Sequence, residues 1–244
     1  MKWSLFPSKQ EALITYAILG FVAGVAVGAV ATANGSDSSS YIASLATLIA
    51  AFSGSWFAFY LTDLSNKRKE KEAKILYINK SLFVLLRQIN AVEGFVRDMQ
   101  LYSSDEHLAF QMPAHKSNEY IDLKQNFDEL AFLASTSYAQ DLLDLTVEQE
   151  RFEQILMVLR IRHEHYVGTV MPEMMTAGLT DRKSSLAEIQ ASLKSETYKG
   201  AIQSAKQMRT ELSAYMKSSV AMHRRLHDVA GQLFPRQRFL RVNV

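Results

Sequence analysis

Two long runs without a charged side chain occupy most of the first sixty residues, at about 13–33 and 41–61. Each has about 20 residues, the number that an α-helix needs to cross roughly 30 Å of hydrocarbon. A short polar turn at 34–40 joins the two runs. The sequence therefore predicts a transmembrane hairpin over residues 1–61, with spans at about 13–33 and 41–61.

Small residues recur in both runs at spacings that place them on one face of each predicted helix. They are Gly20, Gly24 and Gly28 in the first run and Ala43, Thr47 and Gly54 in the second. Small faces allow close helix packing in lipid, where no hydrophobic force separates a helix from the lipid tails. We predict that these faces pack the two spans together, pack the protomers of a homo-oligomer together, or do both.

The distribution of charge predicts the orientation of this hairpin. Five basic residues follow the second run at Lys67, Arg68, Lys69, Lys71 and Lys74. The turn at 34–40 carries only Asp37. The positive-inside rule then places both termini in the cytoplasm.

Signal-peptide cleavage is the alternative interpretation of the first run. Ala31-Thr-Ala33 has the small residues of a signal-peptidase site. However, the apolar run before it is longer than the roughly 7–15 residues of a typical signal core. Cleavage after Ala33 would leave the second run as the only anchor.

The remaining residues, 62–244, predict one helical domain. They number about 180, which is enough for a domain with its own core. Five of the ten glycines lie in the first 61 residues, and the whole chain has four prolines, so turn-forming residues are scarce afterwards. The predicted fold class is all-α, with the hairpin followed by a cytoplasmic antiparallel bundle of about four or five helices and a basic C-terminal tail.

Apolar residues at steps of three and four predict where the long helices lie. The second span is expected to continue through Met99 on a seam from Ile75, and the last helix is expected at about 196–233, with Pro235 stopping it. A third long helix is predicted at about 138–170, ended by Pro172.

Shorter elements are predicted between the long helices. Asn118 is expected to cap a helix at about 119–134, and Ser184 or Ser185 is expected to cap a short helix over Leu186, Ile189 and Leu193. Broken periodicity and Pro113 predict a loop over 102–117.

Catalytic motifs are not found in the sequence. The chain has no cysteine, which excludes disulfides and thiol catalysis, and it has no phosphate-binding glycine loop. Three carboxylates follow one side of a predicted helix at Asp141, Asp144 and Glu148. Stripes of this kind are usually solvated faces or ion-pair partners, so we predict no catalytic residue, no cofactor and no small-molecule substrate.

The nearest approach to a metal site is the pair His223 and His227. Two histidines four residues apart share a helix face and can bind zinc. Arg224, Arg225 and the basic tail oppose a bound cation, so a solvated basic face is favoured over a metal site.

The overall layout resembles the two-span membrane effectors of bacterial anti-phage defence systems, including those encoded beside retron reverse transcriptases. The resemblance rests on a short basic N-terminus, glycines at 20, 24 and 28, a small turn, a second span ending Trp56-Phe-Ala-Phe-Tyr60, Lys67-Arg-Lys69 and a helical domain. It implies a toxin of the bacterial inner membrane that a partner keeps inactive and that permeabilises or depolarises the membrane when released. It also implies a reverse transcriptase with its RNA–DNA product docking on the bundle.

Two basic groups are the predicted contacts to lipid or to nucleic-acid phosphates. They are Lys67, Arg68, Lys69 and Lys71 after the second run, and Arg224, Arg225, Arg236 and Arg238 near the C-terminus. Basic residues beside a membrane contribute about 1 kcal/mol each to binding anionic lipid. Phosphate contact on the bundle is what the resemblance implies for the second group.

Three hypotheses for the function follow. The first is the membrane-disrupting effector, in which the bundle senses a partner and the hairpin acts. The second is a non-toxic membrane-anchored scaffold or signalling adaptor that recruits a partner through its helical bundle. The third, an enzyme or metal protein, has the least support in the sequence.

Overall fold

A computed structural model describes residues 38–114, 120, 122–180 and 184–241. The first predicted span at 13–33, including Gly20, Gly24 and Gly28, lies outside these residues, as does the predicted cap Asn118. Every regular element in the described part is helical, which confirms the all-α class.

Seven α-helices follow one another along the described chain. They are α1 (Ser38–Met99), α2 (Asp105–Gln111), α3 (Phe127–Leu130), α4 (Ala139–His165), α5 (Met171–Thr176), α6 (Leu186–Ser192) and α7 (Ser195–Leu233). A 3₁₀ segment, Ala131–Ser135, follows α3, and a π-helical segment, Tyr166–Val170, joins α4 to α5. The chain divides into two compact units, Met1–Lys71 and Glu72–Val244.

The predicted seams form the core of the second unit. Ile78, Leu82, Leu85, Ile89 and Val92 of α1 are all buried. The seam of α7 is buried from Ala201 to Val229, as its apolar periodicity predicts. Helix α7 begins at Ser195 and ends at Leu233, two residues before Pro235, within a residue of the prediction.

Paired contacts show how the long helices run. Along α4 and α7, Arg225 meets Asp141, Ser218 meets Glu148, and Tyr215 packs on Phe152, so residue numbers rise on one helix as they fall on the other. The two helices are therefore antiparallel. Helix α1 is also antiparallel to α7. Tyr215 of α7 donates a hydrogen bond to Gln88 of α1, and Arg209 of α7 donates one to the Tyr102 carbonyl, just beyond the end of α1.

The predicted helix at 119–134 is largely wrong. Of its described residues only 127–130 are α-helical, and 123–126 are irregular. Side chains of other helices hold this backbone, because Gln88 donates to the Leu123 carbonyl at 2.7 Å and the Gln125 N–H donates to Gln149 at 3.2 Å. Tertiary hydrogen bonds here replace those that a helix would make.

The loop predicted at 102–117 contains a helix. Ser104 caps α2 by accepting a hydrogen bond from the His107 N–H at 3.2 Å, and Asp105 and Glu106 occupy the first turn. Leu108, Ala109 and Phe110 are buried. Seven residues are too few for the periodicity that identified the longer helices.

Pro172 does not end the third long helix, which is a further correction. The π-helical segment Tyr166–Val170 ends α4, and Pro172 lies in the first turn of α5. Proline is tolerated there because the first N–H groups of a helix have no partner within it. The Met171 N–H reaches back five residues to the Tyr166 carbonyl, as a π-turn requires.

Local signals terminate α5 and start α6. Gly178 has a φ of 66°, and the N–H of Leu179 donates to the Met174 carbonyl at 2.9 Å, which completes a helix-ending turn that favours glycine. Ser185 and Glu188 form a capping box at the start of α6, which confirms one of the two predicted caps.

The membrane prediction requires correction. No helix formed by the described residues is long and apolar enough to cross a membrane. Within α1, Ser53, Gly54 and Ser55 interrupt the apolar run, and Asp63 begins a charged stretch. The predicted location, a multi-pass protein of the bacterial inner membrane with both termini in the cytoplasm, is therefore wrong, and the hairpin is not shown.

Candidate functional site

The predicted acidic stripe of α4 is held in ion pairs with α7. Arg225 contacts Asp141 and also bonds Asp144, with its Nη1 2.6 Å from the Asp144 Oδ2. Asp141 is buried, whereas the side chain of Arg225 is half exposed. Asp141 and Asp144 are therefore ion-pair partners of Arg225.

Glu148 is the buried member of the stripe. It accepts a hydrogen bond from the Ser218 hydroxyl at 2.8 Å and one from Arg151 at 3.2 Å. Burial raises the pKa of Glu148 and outweighs the lowering by these two donors. The contact with Ser218 joins α4 to α7.

The two histidines of the proposed metal pattern have different surroundings. His223 is fully buried, and neither ring nitrogen has a hydrogen-bond partner among the described residues. Burial lowers the pKa of His223, with a smaller contribution from His227. In the described ranges no group of three or more His, Asp or Glu side chains could hold a metal ion.

The predicted basic contacts are mostly exposed. In the first unit, Lys67 pairs with Asp63 one turn away at 2.7 Å, and Arg68, Lys69 and Lys71 are exposed. In the second unit, Arg224, Arg236 and Arg238 are exposed, whereas Arg225 is engaged by two carboxylates. The second predicted group is therefore not a set of four unpaired arginines, because Asp141 and Asp144 engage Arg225. Thr47 and Gly54, from the predicted packing face, are both exposed, and Ala43 lies in α1.

A chain of buried amide side chains lies at the centre of the second unit. The Gln88 amide donates to Gln149 at 2.9 Å, and Gln149 also accepts from the Gln125 backbone. The Tyr215 hydroxyl donates to the side-chain oxygen of Gln88, Oε1, at 3.2 Å. Because buried polar groups are costly unless paired, this network fixes α1, α4, α7 and the 122–126 segment in one register.

A second buried polar anchor lies at the other end of α4. Arg162 donates to the Leu108 carbonyl at 3.2 Å, to the Met112 carbonyl at 3.0 Å and to the Pro113 carbonyl at 3.4 Å. Burial lowers the pKa of Arg162, yet a guanidinium remains charged in proteins. These bonds close the C-terminal end of α2 onto α4.

The opposite side of α4 carries a surface that we call the α4 stripe, formed by Leu143, Val147, Met157 and Ile161. All four are exposed, and Leu143 and Met157 retain 56% and 53% of their accessible surface. At 3.6 residues per turn the four lie within an arc of about 80° on the helix surface. Large apolar side chains aligned on an exposed helix face are typical of an interaction surface.

A groove of about 540 Å³ runs beside this stripe between α4 and α7. Its lining residues are Arg151, Gln154 and Ile155 of α4 and Glu211, Ala214, Tyr215, Lys217, Ser218 and Ala221 of α7. Gln154 lies in the arc of the stripe and also lines the groove, so the two features form one continuous surface.

Sequence reasoning missed the α4 stripe and the buried polar network. The available signal for the network was polar residues on apolar seams, and Gln149 does lie at such a step. The stripe had a weaker signal, because Met157 and Ile161 follow a second apolar periodicity on a helix whose seam was already assigned to the core. Neither feature corresponds to a catalytic motif.

Comparison with known proteins gives no relative from which to transfer a function. No model of a known family, no curated protein and no solved structure matches this chain.

Proposed function

We propose that the second unit is a protein-binding adaptor module that docks an amphipathic helix of a partner protein on the α4 stripe. The observation that carries this proposal is the alignment of Leu143, Val147, Met157 and Ile161 on one exposed face. Amphipathic helices bind such surfaces through apolar residues at three- and four-residue steps. Met157 suits this role because its flexible side chain adapts to differently shaped partners.

Charge flanking the stripe favours one orientation of the partner helix. Glu150 lies within the arc, on the same side of its centre as Glu164, which lies beyond the edge. Arg151 lies beyond the other edge, with Lys217 of α7 in the adjoining groove. A partner helix with a basic edge toward the glutamates and an acidic edge toward the groove would be complementary. Charges at the rim of an interface chiefly set orientation and association rate.

The helix that presents the stripe is held firmly from behind. Leu145, Gln149 and Phe152 are buried on the inner side of α4, and Gln149 takes part in the amide network. A surface on a rigid element loses little conformational entropy on binding, which supports docking without rearrangement.

Site-specific photo-crosslinking tests this proposal. The full chain would carry a photo-crosslinking amino acid at Met157 in its native host, with the same amino acid at exposed Gln203 of α7 as the matched control. We expect a discrete adduct from position 157 only, with the crosslinked peptide mapping to an amphipathic helix of another protein. Ile161→Asp should reduce the adduct at least about tenfold, because a buried charge without a partner is costly at an apolar interface.

Three results would count against the proposal. Equal crosslinking from positions 157 and 203 would indicate a non-specific surface. A crosslink only to a second copy of the chain would make the stripe a self-association face. An adduct insensitive to Ile161→Asp would place the partner elsewhere. Thermal unfolding of Ile161→Asp should match that of the wild type, since the side chain is exposed.

A second candidate function is a growth-arresting effector that a partner holds inactive, as the resemblance implies. It is favoured by the outward-facing Leu48, Phe52, Trp56 and Phe59 of the first unit, which recur at steps of three and four. Four large apolar side chains on one exposed helix face are either covered by a partner or form the surface through which the effector acts.

Inducing the chain alone in bacteria tests the effector function. Arrest of growth that Phe52→Ser with Phe59→Ser abolishes, and that Met157→Asp leaves in place, would support the effector. Normal growth with the wild-type chain would leave the adaptor as the better interpretation.

A further inference from the structure

The lysines and arginines of α7 fall into two groups. Six of them lie between Ser195 and Leu233. Two are held by the fold, because Arg209 lies 2.8 Å from Asp105 and Arg225 contacts Asp141. The other four are exposed, and none of them forms an ion pair with another residue that the structure describes: Lys199, Lys206, Lys217 and Arg224. Their charges are therefore available to a ligand.

These four cations form a straight row on the outer face of α7, which we call the α7 row. Successive members are seven, eleven and seven residues apart, so at about 100° per residue all four lie within an arc of about 20°. At 1.5 Å per residue, the row is about 37 Å long from Lys199 to Arg224. A ligand that contacts the whole row must be extended and negatively charged.

The acidic residues of α7 lie away from the middle of this row. Glu211 projects about 130° from it, whereas Glu196 and Asp228 lie near its two ends. The positive charge of the α7 row is therefore concentrated around Lys206 and Lys217.

The other side chains on this face are polar or small. Exposed Gln203, Thr210 and Ser213 lie between the cations, and no large apolar side chain of α7 is exposed. Helices that lie on membranes insert large apolar residues beside their cations, and protein interfaces are built around buried aromatic anchors, so neither partner matches the α7 row. A phosphate backbone requires only cations and hydrogen-bond donors, which this face provides.

The aromatic residues of α7 favour a duplex over a single strand. Single-stranded nucleic acids are bound by stacking of their bases on aromatic rings as well as by charge. Tyr198 is half-buried and stacks on Phe110, and Tyr215 is buried against Phe152. A duplex requires no stacking partner, because its phosphates lie on the outside at one charge per about 1.7 Å of its axis.

We propose that the α7 row binds the phosphate backbone of a nucleic-acid duplex, independently of base sequence. Each of the four cations contacts one phosphate, and the hydroxyl and amide groups between them donate further hydrogen bonds. The length of the row corresponds to about eleven base pairs at roughly 3.4 Å each. This binding goes beyond the docking of a partner helix on the α4 stripe and does not depend on it.

Fluorescence anisotropy of the full chain with labelled duplexes of about 20 base pairs tests the proposal. A DNA duplex and an RNA duplex are both used, since either carries the required phosphates. We expect a Kd below about 10 µM at about 50 mM NaCl for at least one of them. Four phosphate contacts predict that log K falls with log salt with a slope of about −3.6, which is a loss of about fiftyfold between 50 and 150 mM. A duplex of unrelated sequence should bind equally well.

A double variant separates the α7 row from the other cations of the chain. Lys199→Gln with Lys206→Gln should weaken duplex binding at least about tenfold at low salt and reduce the slope by about two, since each phosphate contact contributes about one. Lys124→Gln with Arg160→Gln removes the same charge from exposed positions outside α7 and is the matched control, which should bind as the wild type does. Thermal unfolding should be unchanged in both, because all four positions are exposed.

The proposal is overturned if neither duplex binds saturably, if the slope is shallower than about −2, or if the two double variants bind alike. The last result would assign the binding to other cations such as Arg236. Co-sedimentation with vesicles of phosphatidylglycerol and phosphatidylcholine is the remaining check. Vesicle binding that Lys199→Gln with Lys206→Gln abolishes, without duplex binding, would make the α7 row a lipid contact and would also overturn the proposal.

Failure of this proposal and failure of the α4 docking proposal are distinguishable. Lys199 and Lys206 lie outside both the α4 stripe and the groove beside it. The docking proposal is scored on crosslinked peptides, so nucleic acid bound near Gln203 would leave that control position valid.

Discussion

Phe52 and Phe152 have the same side chain and opposite surroundings. Phe52, in the first unit, retains 74% of its accessible surface, whereas Phe152, in the second, retains 1% and packs against Tyr215. Leu48, Trp56 and Phe59 share the exposure of Phe52. The difference teaches that most apolar residues of the second unit are used to fold it, apart from exposed ones such as those of the α4 stripe, whereas these four of the first unit remain available for contacts with something else.

The sharpest way to test this contrast is to truncate both phenylalanines. Phe152→Ala should lower the free energy of unfolding by about 3–5 kcal/mol, because it leaves a cavity in a packed core. Phe52→Ala should change it by less than about 0.5 kcal/mol, as exposed substitutions usually do. Urea denaturation followed by circular dichroism measures both, and equal losses would show that Phe52 is buried in solution.

The two units also differ in the partners of their positively charged side chains. Arg162→Leu should cost about 3 kcal/mol, since three backbone carbonyls lose a charged donor in a buried place. Arg160→Leu, an exposed neighbour on α4, is the control and should cost little. Lys67→Met in the first unit should leave the urea midpoint unchanged, because surface ion pairs contribute little. A large effect of Lys67→Met would contradict the comparison.

Acid should destabilise the second unit through His223. Burial lowers its folded pKa, so its contribution to stability is complete above the unfolded pKa of about 6.5 and is lost as the pH falls below that value. The loss is at most about 1.4 kcal/mol per pH unit. Glu148 acts in the opposite direction because its folded pKa is raised.

Thermal unfolding between pH 7.5 and 5 checks this expectation. His223→Leu should flatten the profile relative to the wild type, and His227→Gln, at a partly exposed position, should not. A wild-type profile that His223→Leu leaves unchanged would assign the acid sensitivity to another group.

The smallest expected effect concerns the amide network. Tyr215→Phe removes one hydroxyl and leaves the Gln88 oxygen without that donor, so it should cost about 1 kcal/mol. Tyr60→Phe in the first unit keeps the ring that stacks on Trp56 and should cost less than about 0.5 kcal/mol. Chemical denaturation of the two single variants provides the comparison. If they prove equal, the network does not fix the register of the long helices.

Long-range periodicity explains most of what the sequence predicted about this fold. The seam of α7, from Ala201 to Leu233, and that of α1, from Ile75 to Met99, each repeat over many turns, so few other arrangements bury them. Ser185 and Glu188 form a cap from residues three apart, which makes α6 predictable as well. These elements depend on neighbours along the chain.

The elements that were wrong depend on partners distant in sequence. Residues 123–126 leave the helical conformation because Gln88 and Gln149 bond their backbone from other helices. The hydrogen bond from Gln125 to the Ser81 carbonyl joins residues 44 positions apart, and the α4 stripe is recognisable only after the inner side of α4 is known. No local pattern reports which of two apolar faces will be covered.

The π-helical segment Tyr166–Val170 adds one residue to the turn between two α-helical segments, which changes the direction in which the following side chains point. Deleting a single residue within it would restore the ordinary spacing and rotate the following turn by about 100°. Val170 and Met174, now buried, would then exchange places with neighbours such as Met171 and Met175, which face outward. Pro172 would also lie in the interior of a continuous α-helix, where it has no N–H to donate to the preceding turn. A length change in this short segment should therefore be far less tolerated than most substitutions there.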